Sequence, residues 1–311
     1  MSPDPRLTGA CAAALVNPES AGMSPNSNPS PPSQPPRTLP APLDGRRRAL
    51  GFLTLALIAV LFLAGKLKGG FPDASEIDPA LLNEPLQQAT EREPFEMVHE
   101  GHTIRVRPVA EYELWGLVVS HNNIQSVADI YHDSSSLDTK DLCVVWGSNL
   151  TSGELGKVSF ESGPWTCYYS YPEGVRFAGS EMSNSHLITD QESLRADLDA
   201  IRVGDQIRVK GALVNYQLDD WRDYWRRSST VRNDSGNGAC EVLFFEEIEV
   251  LVRGTPLWYM AFKGALFLLA LVPLAFIHSI WIDSKRLAEA ARRKPAFEGA
   301  APEIWPEKVE G

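Results

Sequence analysis

Val203-Gly204-Asp205-Gln206-Ile207-Arg208-Val209-Lys210-Gly211-Ala212-Leu213-Val214 is the stretch whose pattern says most about the fold of this chain. Gly204-Asp205 is a turn pair. Ile207, Val209 and Leu213 then alternate with Arg208, Lys210 and Val214. A period of two puts one set of side chains on a buried face, so residues 206–216 read as a strand, with Gly211 in its middle.

Working outward, residues 96–99 and 102–109 flank Glu100-Gly101 and read as a hairpin. Residues 112–120 form a strand whose internal Gly116 marks a bulge or a tight bend at a barrel corner. Residues 141–146 and 165–171 read as the second and third strands. Residues 190–201 read as a short helix with Leu194, Leu198 and Ile201 on one face, capped by Thr189 or Asp190. The last strand spans 240–252. The order strand, strand, strand, helix, strand, strand is that of a five-stranded OB barrel, a partly open Greek key.

With its Gly-Asp turn, alternation and mid-strand Gly, the 203–214 run resembles the fourth strand of many OB domains. The resemblance covers residues 112–252, and departs from the pattern in a long first loop and an extra leading hairpin. The whole chain is similar to bacterial membrane proteins in which two spans bracket such a domain. The resemblance implies a fold and carries no activity, because OB domains serve many roles.

Two apolar blocks bracket this domain. Residues 49–65 hold no charge and would make about 25 Å of helix. That is slightly short of a hydrocarbon core of about 30 Å, a gap that Arg48 and Lys66 close by snorkelling. A signal-peptide core is the other reading, but 48 residues precede the block, which favours a retained anchor. The second block, 257–282, contains Lys263, Pro273 and His278, with Trp258 and Tyr259 as interface anchors. Arg46, Arg47 and Arg48 precede span one, and Lys285, Arg286, Arg292, Arg293 and Lys294 follow span two. The positive-inside rule therefore expects both termini in the cytoplasm and the middle domain outside an inner (plasma) membrane, in a periplasmic or extracellular space.

The resulting division is a Pro/Ser-rich disordered cytoplasmic tail (1–45), a transmembrane helix (46–66) and a linker with a weak helix (67–95). There follow the OB-like domain (96–256), a second transmembrane helix (257–282) and a cytoplasmic tail with a short basic helix (283–311). Met23 is an alternative start. The fold class is thus a mainly β soluble domain, an OB-like barrel with one helix, between two transmembrane α-helices.

The net charge of -11, with acidic residues outnumbering basic ones about two to one in the middle segment, argues against nucleic acid as a partner. The expected partners are the lipid bilayer and an envelope protein or small ligand. P-loop, GxGxxG, HExxH and GxSxG motifs are lacking, and no cofactor is expected. Three of the four Cys lie in the middle domain. Cys167 and Cys240 fall near strand ends and are expected to pair across about 73 residues, with Cys143 reduced in mid-strand.

His99 and His102 flank one turn, and His121 and His132, with Asp133, adjoin the first loop. These are weak metal candidates, since their spacing matches no defined motif. His186, just before the helix, is a weak candidate general base. The segment after the fourth strand carries Trp221, Arg222, Trp225, Arg226, Arg227 and Arg232, a mixture suited to anionic or stacked ligands. Leu218, Trp221 and Trp225 also fit one face of a short helix packed on the barrel. The first expectation is therefore a binding or assembly module. A hydrolase using His186 with His132, Asp133 or Asp234 is the alternative, and a transmembrane signalling subunit the third reading.

Overall fold

The computed structural model describes residues 45–124, 136–232, 234 and 239–293. The expectations for the N-terminal tail, for His132 and Asp133, and for the last residues of the chain lie outside the described residues.

Helix α1 spans Gly45–Leu67, 23 residues. At 1.5 Å per residue that is about 34 Å, more than a hydrocarbon core. The helix at the other end (α4, Pro256–Arg293) runs through the second apolar block and the basic residues after it, with Pro273 inside. Both helices are long and apolar enough to cross a membrane. They pack through Leu57 and Leu61 against Ala265, Leu269, Val272 and Phe276. Gly65 lets the Phe262 ring approach to where a Cβ would stand 3.6 Å away. Arg47 and Asp283 form an ion pair at one end of the helix pair.

Between the helices lies a domain built mostly of sheet. The strands are β1 (Leu86–Gln88), β2 (Phe95–His99), β3 (His102–Asn123), β4 (Lys140–Val145), β5 (Ser159–Ser162), β6 (Cys167–Ser170), β7 (Met182–Ile188), β8 (Gln206–Leu218) and β9 (Glu241–Val252). Two short helices, α2 (Ser148–Thr151) and α3 (Glu192–Asp199), complete it. Seven strands form one mixed sheet, and β5 and β6 form a separate hairpin. Strand β3 pairs antiparallel with β1, β2, β4 and β8. Strand β4 pairs with β7, β7 pairs in parallel with β9, and β9 pairs with β8.

Several expectations change. The leading hairpin arm and the first strand are one 22-residue strand, β3. Gly116 is no bulge: a Cβ there would stand 2.2 Å from Val144 Cγ1, so it is a point of close approach by β4. The register shifts of β3 lie instead between Pro108 and Ala110 and between Val118 and Ser120. Residues 165–171 are not the third strand of the main sheet, because β6 pairs only with β5. That place belongs to β7, whose Ser183, Asn184, Ser185 and His186 hide it from a hydrophobic pattern. Both of its faces meet protein, and its polar groups bond to one another and to neighbouring strands. In place of a weak helix, residues 67–95 contain two 3₁₀ turns, Ala74–Glu76 and Pro79–Leu82, and strand β1.

The core lies inside the curve of the sheet. Leu114, Leu142, Leu187, Val209, Leu213 and Phe245 meet Leu198 of α3 and Ile201 beyond it. Gly211 is required by close packing, since a Cβ there would lie 2.0 Å from the carbonyl oxygen of Phe244. The C-terminus of α3 is capped by a buried cation. Lys140 Nζ donates to the carbonyls of Leu198 (3.3 Å), Asp199 (3.2 Å) and Ile201 (2.6 Å). A cation among carbonyls at a helix C-terminus is favourably placed, yet burial pushes the amine down to about 8.

Asp205 fastens the domain to the helices. Its buried carboxylate accepts from Arg253 Nη1 and from the backbone N–H groups of Arg202 and Gly254. Beside it, Tyr259 of α4 donates to the carbonyl of Val203, and the Thr255 hydroxyl accepts from the N–H of Gly69.

The disulfide joins Cys143 to Cys167, with Cα atoms 6.0 Å apart, not Cys167 to Cys240. The β5–β6 hairpin folds over β4 and brings Cys167 onto Cys143, leaving Cys240 free. Peptide mapping without reductant should therefore recover a Cys143–Cys167 cross-link and an alkylated Cys240. Replacing Cys143 and Cys167 together by Ala should cost about 3 kcal/mol of stability, read by denaturant unfolding; a cross-linked Cys240 would contradict this pairing.

Candidate functional site

The site grows from one face of β4 and β7. Residues two apart on a strand share a face, and Asp141 is in register with His186 and Cys143 with Asn184. Ser185 pairs with Glu241 on β9, which sets Cys240 next to Asn184. Asp141, Cys143, Asn184 and His186 thus lie on one side of the sheet, bordered by Cys240. This face would ordinarily meet water, but His186 is only 1% exposed.

His186 Nδ1 lies 2.8 Å from Asp141 Oδ1 and 3.5 Å from Asp138 Oδ2. Burial acts to lower the imidazole pKa. The charge of Asp141, the contacts with Asp138 and Asp141, and the nearby Cys240 thiol outweigh it and hold the ring well above its ordinary 6.5. Its Nε2 is buried without a good hydrogen-bond partner among the described residues. The Cys240 thiol is half-buried. It accepts from Asn184 Nδ2 at 3.4 Å and donates towards the carbonyl of Trp165 at 3.7 Å. Burial alone would raise its pKa, but the nearby His186 ring and its charge, then Asn184 and Arg226, bring it below 9.0.

Cys240 opens on a cleft of about 490 Å³. Trp165, Tyr168 and Tyr169 of the hairpin region line it together with Arg226, Arg232 and Asp234. Glu241, also at this cleft, accepts from the Ser183 hydroxyl at 2.7 Å and from Arg232 Nη1 at 3.3 Å. Burial lifts its carboxyl to about 7.

The six residues chosen from the sequence do not act as one group. Arg226 and Arg232 line the cleft. Arg232 also donates to Tyr112 Oη and covers the rings of Tyr112 and Trp146. Arg226 makes no ion pair among the described residues, and its backbone bridges to Tyr216. Arg222 and Arg227 are exposed. Trp221 packs between Tyr216 and Tyr224, and Trp225 lies beneath the Arg107 guanidinium. The expected helix of Leu218, Trp221 and Trp225 is absent; a turn at Asp219-Asp220 and one backbone bridge between Tyr216 and Arg226 fold this segment back onto β8.

Among the described metal candidates His99, His102 and His121, only His102 joins a group of possible ligand atoms, with Asp219 and Asp220. His99 Nε2 is 3.1 Å from the carbonyl of Ser136, and burial with Arg195 nearby lowers its pKa. His102 Nδ1 is 3.0 Å from Asp219. Burial and then the charge of Lys140 bring His121 down to about 4. The acidic partners of His186 are Asp141 and Asp138, whereas Asp234 accepts from the Ser229 hydroxyl.

Sequence reasoning missed Asp138, Asp141, Asn184 and the free state of Cys240. What relates them is cross-strand register, Asp141 opposite His186 and Cys143 opposite Asn184, and no hydrophobic pattern marks β7 as the strand that supplies it. Comparison with known protein families, curated proteins and solved structures found no match for this chain.

Glu241 sets a pH dependence. Its folded pKa stands above the ordinary 4.5, so its contribution to stability is fully present below about 4.5 and is lost as pH rises through about 7. His186, also raised, acts with the same sign at pH above 6.5. Glu241→Gln should flatten the fall in melting temperature between pH 4.5 and pH 7. Identical slopes in the two proteins would show that Glu241 does not titrate there.

Proposed function

We propose that this chain is a membrane-anchored, extracytoplasmic OB-like module that binds a small anion-bearing envelope ligand in the cleft beside Cys240. The observation that carries the reading is the cleft itself, with the Arg226 guanidinium on its wall unpaired by any described residue and aromatic side chains in the same lining. Such a site offers a cation for a carboxylate or phosphate and flat apolar surface for the rest of the ligand.

Two further features support the framework. The pairings run β3 to β4, β7, β9, β8 and back to β3, antiparallel except between β7 and β9, with α3 between β7 and β8 in sequence. That order of pairings supports the OB-like reading. A disulfide in the middle domain suits an oxidising compartment, and the arginines and lysines outside the two apolar blocks suit cytoplasmic termini.

A compartment-sensitive reporter inserted within residues 125–135 should read outside; an inside signal overturns the location. The full chain in nanodiscs should gain melting temperature with at least one member of a panel of small carboxylates and phosphates. Arg226→Ala should weaken that binding roughly 10-fold or more, as expected for a lost charge-assisted contact. Absence of any shift across the panel would remove the anion-binding reading.

A further inference from the structure

We propose that Cys240 is a nucleophilic thiol, activated by His186 and oriented by Asn184, that accepts the acyl group of an uncharged or charged ester bound in the cleft. The inference rests on the cleft being a ligand site, and on nothing about the ligand's charge.

The geometry follows the order that thiol catalysis requires: nucleophile, base and a group that orients the base. The thiol stands at the cleft wall. The imidazole beside it is held at Nδ1 by Asp141, 2.8 Å away, with Asp138 behind at 3.5 Å. That leaves Nε2, buried and without a hydrogen-bond partner among the described residues, on the same strand face as Asn184, which bonds the thiol from the neighbouring register position. A buried polar atom in this condition is costly unless it has work to do. A purely structural cysteine sits among apolar side chains. Cys240 instead meets an amide, an imidazole and a carbonyl, and the charge of Arg226 favours its thiolate.

The neighbouring disulfide is a poor target for this thiol. Cys167 shares the cleft, but attack on it would expel Cys143, which is wholly buried among Leu117, Val119 and Val145. A thiolate released there would be desolvated. The buried His–Asp pair also has a use in acyl transfer that disulfide exchange does not need, which is to protonate an alkoxide leaving group.

The step balances without a redox partner. The Cys240 thiolate attacks the carbonyl carbon, a C–S bond forms, and the ester C–O bond breaks. The proton of the imidazolium Nε2 goes to the departing alkoxide. Water then attacks the thioester and gives a proton to Nε2. The carboxylic acid leaves, and the thiolate–imidazolium pair is restored. Asp141 and Asn184 are positioning residues. The charged or titratable groups around the thiol and ring are Asp138, Asp141, Tyr168, Tyr169, Arg226, Arg232, Asp234 and, on the other face of β9, Glu241.

The test uses the full chain in nanodiscs with p-nitrophenyl acetate, an uncharged ester, and intact-mass and peptide analysis. Wild type should carry one acetyl group on Cys240 during turnover, and Cys240→Ser should carry none. His186→Gln should slow acetylation about 100-fold or more. Iodoacetamide should alkylate wild-type Cys240 with a pH midpoint below the ordinary thiol value, and both His186→Gln and Asp141→Asn should move that midpoint upward. Recovery of the Cys143–Cys167 peptide and an unchanged melting curve establish that each variant is folded. Should His186→Gln prove unfolded, the midpoint in Asp141→Asn and in wild type decides. An ordinary thiol midpoint in wild type, or no acetyl-Cys240, overturns the proposal. Acetylation that persists while the anion panel gives no shift would sink the anion reading alone.

Discussion

The architecture depends on β3 being hydrogen-bonded along both of its edges. Over most of its 22 residues it pairs with β8 on one side, while β1, β2 and β4 share the other. A strand so long cannot stay flat under the normal twist of a sheet. Its two register shifts let it bend, and Gly116 and Gly211 remove side chains where neighbouring strands cross most closely. Through their pairings the β4, β7 and β9 strands link β3 to β8, and residues from all five strands meet in one core.

That curvature explains why part of the molecule was legible in the sequence and part was not. The 203–214 run, the two apolar blocks and the short helix with Leu198 all carry simple periodicities, and each became an element. Strand β7 carries none, because Ser183, Ser185 and His186 are buried through hydrogen bonds, not through apolar contact. With no such pattern there, the sequence offers the aromatic-rich 165–171 segment as the third strand instead. The disulfide error followed directly, since only the true order of strands brings the hairpin over Cys143. The site suffered in the same way. His186 was singled out, yet its partners are set by cross-strand register, a long-range relation that no local spacing contains.

The face that carries Asp141, Asn184 and His186 is chemically unusual for the outside of a sheet. An open antiparallel sheet normally turns such a face to water. Here the hairpin and the segment after β8 cover it, so charges that would be screened at a surface act on one another at short range. The same covering leaves a mouth where Cys240, Arg226 and Glu241 meet the cleft. Buried carboxylate, imidazole and thiol therefore share one small electrostatic environment, and each sets the proton affinity of the next.

The knot at Asp205 has a mechanical consequence. Both oxygens of one buried carboxylate are bonded to the last residues before α4 and to the turn before β8, and Tyr259 and Thr255 add ties on either side. A flexible tether would let the sheet domain tumble independently of its anchors. This joint instead makes the helix pair and β8 a single lever, so any tilt imposed on the helices is inherited by the sheet. The heading of the cleft relative to the two long helices is consequently set by side-chain chemistry at Asp205, Thr255 and Tyr259 and not by the length of a linker.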